Sequence, residues 1–201
     1  MGLREMKAAR SRQTMMGVAL ELFLRDGFDE TTMEQIAERA EVGTTTLYRY
    51  FPTKDQLLLD PLVEALDPSP HLRARPTDEP LEISLGEALI AAAAAFDDAG
   101  TFIAEMRRLV DAAAVPRAKL WDRLRTLRED LENVIAERMG RDADDLSVRA
   151  TAGLMLDLFH LLDRGTEDDR TRREVMIDLL RDLPTSTILI PRPLEHDGTD
   201  S

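Results

Sequence analysis

The segment VGTTTLYRYFPTK, residues 42–54, decides how the chain is read. On a helical wheel of 100° per residue, Leu47 and Phe51 share one pole, with Thr44 beside them. Thr45 and Arg49 fall on the opposite pole, and Tyr48 and Tyr50 lie on the two flanks. A short helix packed through Leu47 and Phe51 therefore pushes Thr45 and Arg49 outward and holds a tyrosine hydroxyl on each side. That layout suits a helix in a DNA major groove, with outward residues at base edges and flanking hydroxyls at the phosphate walls. It also suits an amphipathic surface helix, so the neighbouring sequence has to decide.

Upstream, Met15, Val18, Ala19, Leu22 and Phe23 repeat at three and four residues, marking one buried face of a helix over residues 4–26 that Gly27 ends. A second helix is expected over 33–40, with Thr32 as cap and Gln35 completing a capping box. Glu41-Val42-Gly43 is a tight turn, and the opening segment forms the third helix, ended by Pro52. Two short helices joined by a three-residue turn make a helix-turn-helix.

These residues resemble the DNA-binding region of the TetR (tetracycline-repressor-like) regulators. The likeness rests on ALELF at 19–23 before Gly27-Phe28, Thr31-Thr32, Ile36-Ala37, Ala40, Val42, TLYRYF at 46–51 and Lys54. It implies a homodimer that binds a palindromic double-stranded DNA operator and releases it when a small-molecule effector occupies the C-terminal part. Carried over by position, Tyr48, Tyr50 and Lys54 contact phosphates, Thr32 touches the backbone, and Thr44, Thr45, Thr46 and Arg49 face the bases. Two positions depart from the family pattern. Glu41 stands where a turn glycine is common, and Gly43 where serine is usual. Glu41 is thus expected in a backbone conformation unfavourable for a side-chain-bearing residue.

The chain has 201 residues, no cysteine and a net charge of −13. An acidic chain argues against nucleic acid, but the charge is uneven. Residues 1–58 carry 8 Lys/Arg against 9 Asp/Glu, whereas residues 59–201 carry 18 against 30. Arg4, Lys7, Arg10 and Arg12 face only Glu5 within residues 1–13, so the head has a basic leading edge that can grip phosphates. No apolar run is long enough to span a membrane, and the start lacks the apolar core of a signal peptide. A cytoplasmic protein without a membrane partner is expected.

The fold class expected is all-α, with about nine helices. A helix-turn-helix DNA-binding domain covers 1–58, a helical effector-binding and dimerisation bundle 59–183, and an extended or disordered tail 184–201. Pro61 lies inside the apolar run 56–66, where it must kink a helix or begin a new one capped by Asp60. Residues 67–80 hold four prolines and read as a loop. Further helices are expected over 81–98, 101–114, 116–140, 145–162 and 168–182. The segment GLMLDLFHLL at 153–162 is apolar nearly all round, as in a helix buried on more than one side. The homodimer is therefore expected through the eighth and ninth helices, 145–162 and 168–182.

Phe96, Phe102, Met106, Trp121, Met155, Phe159 and His160 are candidates to line an effector pocket, although residues of these types are more often plain core. Enzyme chemistry finds no support. His71, His160 and His196 show no metal-ligand spacing, and there is neither a glycine-rich phosphate loop nor a serine elbow. No catalytic residue, cofactor or metal is expected. The reading is a DNA-binding transcriptional regulator, taken as a repressor. An activator or an effector-independent regulator remains open within the class, and a helical enzyme or carrier outside it.

Overall fold

A computed structural model describes residues 2–163 and 170–183. Among them the elements are helices α1 (Leu3–Asp26), α2 (Met33–Arg39), α3 (Thr44–Tyr50), α4 (Lys54–Ala65), α5 (Ser69–Arg73), α6 (Leu81–Ala112), α7 (Ala114–Met139), α8 (Leu146–Asp163) and α9 (Arg172–Asp182). The fold is all-α, and no helix among the described residues is long and apolar enough to cross a membrane. The expected tail at 184–201 lies outside the described residues, as does the start expected for the last helix at 168.

Helices α1–α3 close on a small core. Phe23, Ile36, Leu47 and Phe51 are fully buried or nearly so, and the Phe23 and Phe28 rings meet with centroids 5.1 Å apart. Gly27 turns the chain out of α1 at φ 95°. Thr32 caps α2 as expected: its hydroxyl accepts from the Gln35 amide at 3.2 Å, and the Gln35 side chain accepts from the Thr32 amide at 2.8 Å. This reciprocal pair satisfies two donors that the first turn of a helix leaves orphaned.

Helix α4 is the centre of the molecule, packed against α1, α6 and α7. Leu57, Leu58, Leu59 and Leu62 are all fully buried. The helix runs unbroken through Pro61, so the alternative of a new helix capped by Asp60 does not hold. Packing on three sides outweighs the one hydrogen bond that proline removes. Asp60 instead reaches α7, where Arg123 donates to it at 2.7 Å, and Lys119 donates to Asp55 at 2.8 Å. Since 119 pairs with 55 and 123 with 60, α7 runs parallel to α4 in matched register. The domain boundary expected after residue 58 falls inside α4.

One other expectation is refined. The proline-rich stretch 67–80 contains α5, because Pro70 sits in the first turn, where its missing N–H costs nothing, and Asp67 accepts from the Ser69 amide at 2.8 Å. The helices expected over 81–98 and 101–114 follow one another within α6 and are parted where Gly100 adopts φ 54°, ψ −138°, as expected. Asp97 of α6 accepts from the backbone amides of Arg172 and Arg173 at 3.2 and 3.0 Å and so anchors the start of α9.

Candidate nucleic-acid interface

Burial of Leu47 and Phe51 fixes which way α3 faces. Thr44, Thr45, Tyr48 and Arg49 are exposed, while Thr46 and Tyr50 are half-buried. Tyr48 is 43% exposed, unusual for a tyrosine on a helix that packs. Thr32 is exposed at the start of α2, where its hydroxyl hydrogen remains available to an acceptor. Thr45 and Arg49, the outward pole of the wheel, are both exposed, whereas Thr44, which the wheel places beside Leu47 and Phe51, is exposed as well.

Helix α3 enters through a strained turn. The Val42 amide donates to the Ala37 carbonyl at 3.0 Å and the Glu41 amide to the Glu38 carbonyl at 3.1 Å, the paired bonds of a Schellman ending. That motif needs a left-handed residue, and Glu41 supplies it at φ 55°. Helix α7 ends with the same two bonds, but there Gly140 takes the left-handed place at φ 62°.

Lys54 is a correction. Its ammonium donates to the carbonyls of Phe28, Asp29 and Thr31 at 2.5–3.1 Å and sits 4.5 Å from the centre of the Phe28 ring. All three donors are spent on the α1–α2 connection, so this geometry makes Lys54 a clamp within the head rather than a hand held out to phosphate. Arg12 also turns inward, pairing with Glu64 of α4 and lying 5.2 Å from the Phe51 ring centre. It stands three and seven residues before Met15 and Ala19, on the buried stripe, and that spacing was the signal for it. No local pattern could announce Lys54, whose partners lie 23 to 26 residues away.

Positive charge also gathers at this surface. Along α6 and α7 the arginines are matched by carboxylates a turn away: Arg107 with Asp111, Arg125 with Glu129, Arg128 with Glu132. Among the described residues, Arg4, Lys7, Arg10 and Arg49, on α1 and α3, have no carboxylate within ion-pair distance; Arg73, Arg117, Arg138, Arg149 and Arg173 of the bundle have none either, but Arg4, Lys7 and Arg49 line one groove. An acidic chain thus leaves its head with a cluster of uncompensated positive charge beside the exposed face of α3, as an electrostatic footprint for nucleic acid requires.

The family model "Bacterial regulatory proteins, tetR family" matches residues 16–60. The regulator TcmR of Streptomyces glaucescens is 35% identical over 152 residues, covering 72% of this chain and 67% of TcmR. The chain belongs to the TetR family. Solved structures agree at the level of fold. A TetR-family regulator from Streptomyces coelicolor superposes with a TM-score of 0.52 at 24% identity, covering 92% of this chain and 81% of that one. NalD, the secondary repressor of the MexAB-OprM efflux pump in Pseudomonas aeruginosa, gives 0.53 at 21% identity over 87% and 95%. A TetR-family chain is a DNA-binding transcriptional regulator and not an enzyme, so the helix-turn-helix of α2 and α3 is its reading head.

Of the expected pocket residues, one stands apart from the bundle interior. Phe96, Met106, Met155 and Phe159 are buried, Phe102 and His160 are half-buried, and Trp121 is 72% exposed. Trp121 is thus corrected from pocket to surface, because its ring points away from the bundle. Phe96 and Phe159 meet edge to face at 6.2 Å. Phe159 and His160 line a small cavity of about 20 Å³ together with Leu66, Leu124, Leu127 and Leu156.

Proposed function

We propose that this protein is a homodimeric repressor that holds a palindromic operator through α2 and α3 and lets go when a small-molecule effector enters the bundle. Residues 1–58 form the operator-binding domain and 59–183 the effector and dimer domain. The protein works in the cytoplasm, where its DNA is. The observation that carries the reading is the exposed Thr44, Thr45, Tyr48 and Arg49 face of α3, flanked by the uncompensated cations of the head. Thr44 and Thr45 meet base edges, Thr46 supports them from the half-buried flank, and Tyr48, Tyr50 and Thr32 contact phosphates.

Dimerisation through α8 and α9 is supported by Leu154 and Leu161, seven residues apart on one face of α8 and 54% and 59% exposed in the single chain. The effector reading is supported by the cavity between Leu66 of α4, Leu124 and Leu127 of α7, and Leu156, Phe159 and His160 of α8. Ligand pockets span about 300–1,000 Å³, so α4, α7 and α8 must part to admit an effector. Apolar walls with a single imidazole fit a largely apolar molecule with one polar group. Parting α7 from α4 pulls on Asp55 and Asp60 and hence on the head. Operator and effector then prefer different states, and each weakens the other's binding by the same factor.

Selection of bound sequences from a random duplex pool, with the full chain, tests the reading. A palindromic site with half-sites about one helical turn apart is expected. Recovery of single half-sites, or of no preferred sequence, would overturn it.

A further inference from the structure

A groove of about 460 Å³ runs between the first turns of α1 and the end of α3, lined by Arg4, Lys7, Ala8 and Ser11 on one side and Arg49 and Tyr50 on the other. Arg4, Lys7 and Ser11 follow one another by three and four residues and share one face of α1. Ala8 keeps the wall between them low. The exposed Arg49 side chain lines the groove, its guanidinium 5.6 Å from the centre of the Tyr50 ring. Three cations without a carboxylate partner therefore surround one groove, with two hydroxyls between them. Like charges gathered so closely repel unless an anion sits among them. The partner these groups fit is a compact anion with several acceptor oxygens, and beside an operator-facing helix that anion is a phosphodiester of the DNA strand. The α1 wall lies upstream of the family match, which begins at residue 16.

We propose that this groove seats one backbone phosphate of the operator, and that Arg49 holds that phosphate instead of reading a base. Sequence reading by α3 then falls to Thr44 and Thr45. The proposal rests on the operator-binding reading above. It gives α1 a direct part in affinity that the helix-turn-helix alone does not supply.

The test measures binding of the full chain to its selected operator and to a random duplex across a salt series, for the native protein, Lys7→Gln, Arg49→Gln and the double variant. Arg73→Gln, on α5, is the control. Each groove variant should weaken operator and random duplex by the same factor and lower the salt slope by about one per half-site. The double variant should lose little more slope than either single one, because both side chains serve one phosphate. An operator carrying a neutral methylphosphonate at that phosphate should bind native protein more weakly and Lys7→Gln equally well. Selective loss of operator binding in Arg49→Gln would return Arg49 to the bases and overturn the proposal, as would an unchanged slope in Lys7→Gln. Binding of inorganic phosphate with unchanged DNA slopes would make the groove a free-anion site and overturn it too. Native protein that binds no duplex would remove the operator reading itself, an outcome distinct from native binding with unaffected variants.

Discussion

Glu41 and Lys54 show how differently single residues carry the head. Glu41 occupies the left-handed place in the turn before α3 at φ 55°, a conformation that costs a side-chain-bearing residue roughly 1–2 kcal/mol. Gly140 fills the equivalent place at the end of α7 without that cost. Glu41→Gly should therefore raise stability by about 1 kcal/mol, after the added freedom of glycine in the unfolded chain is subtracted. Urea denaturation checks it, and operator affinity should not change. This strain was legible through the family resemblance, in which a turn glycine is common at the place Glu41 holds. Lys54 was not legible, since its three carbonyl partners are brought to it only by the closing of α1 on α4. Lys54→Met leaves those carbonyls without their charged donor and should lower stability by about 1–3 kcal/mol. Its operator affinity should fall only as the folded fraction falls, with the salt slope unchanged. A reduced slope in fully folded protein would restore Lys54 to the phosphates.

Between elements, the contact of α4 with α7 ties the bundle to the helix that continues into the head. Burial pushes the Asp60 carboxyl above its ordinary value; Arg123 and Arg12 pull it down, and Glu64 and Asp55 push it up further. Because the folded value lies above the unfolded one, the folded chain binds the proton more tightly. That contribution is fully present below the ordinary value of 3.8 and is lost as pH rises through the folded value. At neutral pH the Asp60 carboxylate is therefore a net cost that Arg123 only partly offsets. Asp60→Asn should raise the melting temperature at pH 7, with the gain shrinking as pH falls toward 4, while Arg123→Ala should lower it. Melting curves of the three proteins across that range decide the matter. Gly100 is the other junction. A Cβ there meets nothing within 4 Å, yet φ 54°, ψ −138° belongs to glycine alone, so Gly100→Ala should cost about 1–3 kcal/mol through the backbone only. Chemical denaturation measures it. The break at Gly100 could be read in advance because glycine interrupts two good helical runs. The short helix α5 could not, because its prolines read as breakers until Pro70 is seen to occupy a first turn.

Over the whole molecule the apolar surface, like the charge, is unevenly distributed, and the proposed dimer rests on it. The segment 153–162 looked apolar nearly all round, and the structure divides it into two faces. Met155, Leu158, Phe159 and Leu162 are buried within the chain, while Leu154 and Leu161 stay 54% and 59% exposed. That α8 carries apolar residues on two faces was legible, because 153–162 is apolar nearly all round. The lining of the small cavity was not, because residues that pack a core and residues that line an apolar cavity are of the same types, and only the three-dimensional arrangement sorts Phe159 from Trp121. Burying a leucine fully stabilises by about 1.5–3 kcal/mol, so two such positions on each protomer, doubled by symmetry, form the nucleus of an interface. A glutamate at either place would have to be buried unpaired against its own kind. Leu154→Glu and Leu161→Glu should therefore sediment as folded monomers at micromolar concentration, with native circular dichroism, since neither residue belongs to the chain's own core. Their specific operator binding should collapse, because a palindrome rewards only two heads held one turn apart. Weak binding to random duplex should persist, since the cations of α1 and α3 are intact. A Leu154→Glu protein that remains dimeric, or a monomer that still binds the operator as native protein does, would place the interface elsewhere or make the dimer unnecessary to recognition.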